Sequence, residues 1–201
     1  MKMENTNSLT LQEQHDNVNG AGNCAARSCS FRNTEHAAVT YAAAGLSVIP
    51  VKQDKSPAVD TWTEFKTVRP SEEAISVWYA SENLGVGIIC GAVSGNLECL
   101  DIDEKYNVDS TPLLDRLTSL VDAQVSGLLS RLVHETSING GHHFVYRCKT
   151  IDGSKPLARH APTPAELEEN PKLKSKVLIE TRGEGAYFAC YPTPGYELVS
   201  G

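Results

Sequence analysis

The sequence predicts an α+β domain, a mostly antiparallel sheet with flanking helices, on three observations. Asn96 to Asp103 (Asn-Leu-Glu-Cys-Leu-Asp-Ile-Asp) alternates as a strand does and ends in two carboxylates. Arg131–Thr136 and His142–Arg147 are strand-like runs joined across Gly140-Gly141, which marks a β-hairpin. Between these regions Leu113, Leu114, Leu117, Leu120 and Val121 give an apolar helical face behind Thr111-Pro112, read as N-cap and first helical residue.

Taken in order, residues 1–33 are rich in Asn, Ser and Gln and read as a disordered tail. Thr34 reads as the N-cap of a helix over Glu35 to Ala44, stopped by Gly45. Ser47–Val51 is a short first strand. The loop from Lys52 to Lys66 holds Lys55-Ser56-Pro57 and Trp62; taken alone, these are a solvated charge and a core anchor. Ser71 with Glu72 and Glu73 opens a second helix, which turns Ile75 and Trp78 to one face. Gly85–Cys90 is a buried strand, and Gly91–Gly95 a tight turn expected to fold it into a hairpin-like pair with the acidic strand.

Lys149 to Lys176 is polar and carries four prolines. It reads as a mobile insertion over the site and in contact with template, with one helical turn where Thr163-Pro164-Ala165-Glu166 forms a capping box. Val177–Glu180 is a strand ending in a carboxylate, Arg182–Gly185 a turn, and Ala186–Tyr191 a last strand before a Pro-rich exit. One globular domain is expected over residues 34–201.

Composition narrows the class of protein. Of 201 residues 40% are hydrophobic, which suits a globular core, and no apolar run approaches the ~20 residues of a membrane span. The amino terminus lacks the apolar segment of a secretory signal, so a cytoplasmic location is expected and no membrane partner. Six cysteines are scattered without a C-x-x-C pair, which points to buried thiols and away from structural zinc. A net charge of −7 argues against a broad basic surface and predicts weak, metal-dependent affinity for nucleic acid.

Strand alternation places Leu97, Cys99, Asp101 and Asp103 on one face. Two residues of rise is roughly 6.5–7 Å, so both carboxylates can lean toward one point. They repel there unless a cation intervenes, and a divalent metal suits; the plain alternative is a solvated acidic turn, Asp-Glu-Lys. A strand beginning at His143 and another ending at Glu180 repeat the pattern of a ligating group beside a glycine-containing turn. Three acidic groups suit a pair of Mg²⁺ or Mn²⁺ ions, which activate a 3′-hydroxyl and stabilise a pyrophosphate leaving group. His143 suits a phosphate contact or a general-acid role. Removing Asp101 or Asp103 is expected to abolish such chemistry and to leave the fold intact or stabilised by relieved repulsion.

The chain resembles the bifunctional primase–polymerase N-terminal domain of the archaeo-eukaryotic primase superfamily, as found in phages, plasmids and integrated elements. The resemblance runs from about Tyr41 to Tyr196. It rests on ordered motifs: Ala-Ala-Gly-Leu-Ser-Val-Ile-Pro-Val, Lys55-Ser-Pro57, Trp62, and the helix with Trp78. Gly-Val-Gly-Ile-Ile-Cys-Gly-Ala-Val-Ser-Gly then leads into Leu-Asp101-Ile-Asp103, followed by Gly140-Gly141-His142-His143-Phe and Ile179-Glu180 with Gly-Glu-Gly-Ala-Tyr. The resemblance implies an RRM-like catalytic fold. It assigns metal ligation to Asp101, Asp103 and Glu180, and nucleotide phosphate binding to His143 in preference to His142. Three departures stand out: Glu180 where Asp is usual, Asn139 where Ser precedes Gly-Gly, and Tyr191-Pro192-Thr193 in place of Pro-Pro-Ser. Ser137 can supply the hydroxyl that Asn139 lacks, while Lys55 and Arg182 can neutralise triphosphate charge or be plain surface charges.

The implied function is template-directed nucleotidyl transfer from dNTPs or NTPs, as primase, polymerase or both, on single-stranded template and primer. Such domains are commonly joined to a helicase, so a longer chain with a helicase domain in cis or in trans is expected. The alternatives are a nucleic-acid-binding replication module without catalysis and a metal-dependent nuclease. Clustered carboxylates speak against the first, and the lack of a His-x-His motif against a nicking enzyme.

Overall fold

The computed structural model describes residues 26–80 and 83–201. In chain order its elements are α1 (Ala26–Ala43), β1 (Ser47–Val51), α2 (Glu72–Tyr79), β2 (Gly85–Ile89), β3 (Leu97–Ile102), α3 (Leu113–Asp122), β4 (Val133–Thr136), β5 (His142–Arg147), β6 (Lys155–His160), α4 (Pro164–Glu169), β7 (Lys176–Arg182), β8 (Tyr187–Cys190) and β9 (Glu197–Ser200). The strands form two antiparallel sheets, a small one in the order β1-β2-β8 and a large one in the order β6-β7-β3-β5-β4-β9. The α+β expectation therefore holds.

Gly45 ends α1 as its sequence requires. At φ 85° it takes the left-handed conformation, so that Gly45 N–H donates to Ala42 O (2.9 Å) and Leu46 N–H to Tyr41 O (3.0 Å). The start of the helix differs from the sequence reading. Thr34 lies buried inside α1, which runs back through residues 26–33, a stretch with no Gly or Pro to break it. The remainder of the expected tail, residues 1–25, lies outside the described residues. In α2 the Ser71 hydroxyl caps Ala74 N–H at 3.2 Å, and Ile75 is fully buried. Ala38 of α1 and Ile75 pack with Val48, Val86, Leu97 and Cys99 into a core shared by the two sheets. The other face of β3 sends Leu100 and Ile102 into a second core with Leu113 and Phe144.

The hairpin expected between β2 and β3 does not form. Strand β2 is paired on both edges, by β1 and β8, which leaves no edge for β3. Gly91 (φ 112°) and Gly95 (φ 70°) bracket a 3₁₀ turn that carries the chain into the large sheet, and an isolated bridge, Gly91 to Leu97, closes that turn onto the start of β3. The β4–β5 hairpin forms with Val133 opposite Val145 and Thr136 opposite His142.

The segment 149–176 is more ordered than its composition predicts. It contributes β6, paired with β7, and α4, whose Thr163–Glu166 capping box is present as expected. Pro156 and a bulged register explain why its alternation was hidden. In α3, Pro112 takes the cap position ascribed to Thr111, and Glu104 Oε1 accepts from Leu114 N–H at 2.9 Å. The Pro-rich exit also ends in a strand, β9, paired with β4. Among the described residues no helix is long and apolar enough to cross a membrane.

Candidate active site

Pairing register decides which side chains meet. Strand β3 is central in the large sheet, with His143 of β5 directly opposite Asp101 on one side and Glu180 of β7 on the other. Glu135 of β4 lies opposite His143 in turn. Directly opposed residues share a face with Cβ atoms about 4.5–5.5 Å apart, so Glu135, His143, Asp101 and Glu180 form one row across four strands. The row lies on the face where Cys99 enters the core shared with the small sheet. Phe188 of β8 meets the His143 ring edge-on at 5.4 Å.

His143 is buried, with 5% exposure, as is Glu135 beside it. Its Nδ1–H donates to Glu135 Oε1 at 2.8 Å, and its Nε2 lies 3.5 Å from Asp101 Oδ1. Burial works against the charged ring, but the carboxylates of Asp101 and Glu135 outweigh it and push its pKa up to about 9. Burial likewise works against the Asp101 carboxylate, and His143 and then Arg182 override it, holding its pKa below the usual value. Glu180 goes the other way: burial raises its pKa, the charges of Asp101 and Asp103 add to that, and Arg182 only partly offsets them. His142 faces the opposite side of β5. Its Nδ1 is 3.0 Å from His134 Nε2, and the His134 ring stacks on Phe144 at 4.3 Å.

Arg182 was expected in a turn, but β7 runs through it. Two residues beyond Glu180 on the same face, its guanidinium donates to Asp101 Oδ2 from Nε (3.2 Å) and Nη2 (3.0 Å) and lies 2.6 Å from Glu180 Oε1. The strand therefore continues past its carboxylate, and this aims the arginine back at the row. Asp103 follows the end of β3, with its carboxylate 3.5 Å from Lys105 Nζ and about a third exposed. Lys55 arrives from the loop after β1. Its Nζ stands 5.5 Å from the Tyr196 ring centroid, and its carbonyl accepts from Tyr187 O–H at 3.0 Å. The same Tyr196 ring lies 5.9 Å from that of His143, which brings this lysine to the neighbourhood of the row; burial lowers its pKa, as does Lys105, against the pull of Asp101 and Asp103.

The Gly140-Gly141 turn packs against the end of β3. A Cβ on Gly141 would stand 2.6 Å from Ile102 O and 3.0 Å from Ser137 Oγ, so only glycine permits that approach. Ser137 is thus beside the acidic strand end, while Asn139 is exposed at the tip of the turn.

The sequence profile described as bifunctional DNA primase/polymerase, N-terminal, matches residues 38–200. The chain belongs to that family. No match was found among curated proteins. The family is one of DNA primases and polymerases, so nucleotidyl transfer with DNA and nucleotides as substrates is the activity class it brings.

In this prim-pol domain no group of three His, Cys, Asp or Glu among the described residues stands ready to hold a metal ion. The donor chemistry nonetheless fits a hard divalent cation. Asp101 and Glu180 converge on one guanidinium, a cation already placed between two carboxylates, and Asp103 lies two residues along the chain. The residue that sequence reading missed is Glu135. Its signal lay in the hairpin, because a turn that sets Thr136 opposite His142 also sets Glu135 opposite His143.

Proposed function

We propose that this prim-pol domain is a template-dependent nucleotidyltransferase that joins dNTPs or NTPs to a 3′-hydroxyl, in priming, chain extension or both. The observation that carries the reading is the row His143–Asp101–Glu180, bridged by Arg182, beside Asp103 and Lys55. Asp101, Asp103 and Glu180 are the proposed ligands of Mg²⁺ or Mn²⁺. When bound, the metal supplies Lewis acidity at the 3′-oxygen and at the phosphates. His143 presents its Nε2–H to a phosphate oxygen, and Lys55 and Arg182 balance triphosphate charge, with Ser137 and Asn139 at the edge of the same turn. Single-stranded template and primer are the proposed partners, with a helicase domain in cis or in trans and a mobile element as the replicated molecule; these rest on the family resemblance.

A second reading is a docking module for nucleic acid without catalysis. It is favoured by Arg182, which already neutralises Asp101 and Glu180. Extension of a labelled primer on single-stranded template, with Mg²⁺ or Mn²⁺ and dNTPs or NTPs, separates the two. A metal-dependent ladder supports the transferase, and omitting the primer then tests priming. Template binding without a ladder supports the module, and shortened template supports a nuclease.

A further inference from the structure

We propose that Glu135 is a positioning residue that holds the His143 imidazole in the one orientation able to receive a nucleotide phosphate. The nucleotide part rests on the function proposed above; the positioning part does not. Glu135 is 4% exposed, in a strand paired on both sides by β5 and β9. Both of its oxygens are engaged. Oε1 accepts from His143 Nδ1–H at 2.8 Å, and Oε2 accepts from the Tyr191 backbone N–H at 2.9 Å. Tyr191 follows β8, so one buried carboxylate ties the histidine of the large sheet to the chain leaving the small one.

The geometry makes the two ends of the ring unequal. With Nδ1 bound to Glu135, Nε2 points along the row toward Asp101, where 3.5 Å is too long for a strong hydrogen bond. The Nε2–H edge is therefore the one left for an arriving anionic oxygen. A half-turn of the ring about Cβ–Cγ would put carbon-bound hydrogen against Glu135 and leave a buried carboxylate oxygen without its donor. The contacts with Phe188 and Tyr196 hold the plane of the ring but cannot tell nitrogen from carbon at its edge. Glu135 makes that distinction.

Glu135→Gln tests this with nearly unchanged volume. The amide can accept from His143 Nδ1–H only by turning its NH₂ toward the Tyr191 N–H, donor against donor, so one of the two bonds is lost. By analogy with residues that orient metal-bound histidines, the KM for nucleotide is expected to rise about 10-fold or more, with kcat changing less. In a His143→Ala background the same substitution is expected to add less than about a 2-fold change, the pattern of a residue acting through His143. Equal effects in both backgrounds would overturn the proposal. Imidazole ¹⁵N–¹H spectra of the wild-type chain decide the positioning independently of folding in the variant. A slowly exchanging Nδ1–H on His143 is expected, and a ring with Nδ1 unprotonated or freely exchanging would overturn it. A wild-type chain that binds no nucleotide yet shows that protected proton would refute the proposed function and leave the positioning role standing.

Discussion

Replacing Asp101 by Asn should destabilise the metal-free protein, the reverse of what two clustered aspartates suggest when read from sequence alone. The side chain is 14% exposed and lies between two cations, with Arg182 Nη2 at 3.0 Å and His143 Nε2 at 3.5 Å. Neither cation is orphaned by the change, since Arg182 keeps Glu180 at 2.6 Å and His143 keeps Glu135 at 2.8 Å. The loss therefore falls short of the roughly 3–5 kcal/mol of a buried pair broken outright. It exceeds the roughly 0.2–1 kcal/mol of an exposed pair. One charge-assisted bond to Arg182 and a longer one to His143, partly replaced by the amide, come to about 2 kcal/mol. For a domain of this size that is a fall in Tm of about 4–8 °C, read by thermal melts in chelator. An unchanged or higher Tm would mean that repulsion between Asp101 and Glu180 outweighs both cations, and the description of the row as charge-balanced would be wrong.

Asp103→Asn should behave differently, because its pairing with Lys105 is about a third exposed on both sides; melts should move by less than about 0.5 kcal/mol while nucleotide incorporation is lost. Gly141→Ala should destabilise by about 1–3 kcal/mol and weaken nucleotide binding, since its Cβ would meet Ile102 O at 2.6 Å and push the turn off β3; melts and a nucleotide titration check both. Burial holds the His134 and His142 pKa values below the free value, helped by the charge of His142 at His134 and of His143 at His142, with Glu104 pulling His142 the other way. The folded pair resists protons that the unfolded chain accepts, so its stability contribution is present above pH of about 6.5 and lost as the pH falls below it. Denaturant titrations at pH 7.5 and 5.5 should accordingly show a smaller acid loss in His134→Leu than in the wild-type chain.

The acidic strand, the Gly-Gly hairpin and the buried strands around them were legible because each is a local pattern: alternation, a two-glycine turn, an apolar run. The family resemblance preferred His143 to His142, and the structure places the two on opposite faces of β5. Long-range pairing was not legible. The stretch Gly91 to Gly95 has the composition of a hairpin turn, and only the capture of both β2 edges by β1 and β8 sends it elsewhere. β6 and β9 are mostly exposed strands at the two edges of the large sheet, so neither carries the buried alternation that betrays a strand. Arg182 looked like a turn residue because Gly183 follows it, yet β7 extends through it and turns it onto Asp101. Glu135 was hidden because a lone glutamate in a strand gains meaning only from its partner across the hairpin.

The most direct measurement is single-nucleotide incorporation at one templated position, with wild-type chain and Asp103→Asn compared in Mn²⁺ and in chelator. Asp103 is the informative choice because its removal should spare the fold. A transferase centred on the carboxylate row predicts incorporation by the wild-type chain that chelator abolishes, and loss of at least about 100-fold in a variant that melts normally. Incorporation by Asp103→Asn at the wild-type rate would contradict the assignment of the acidic strand as the centre of the chemistry.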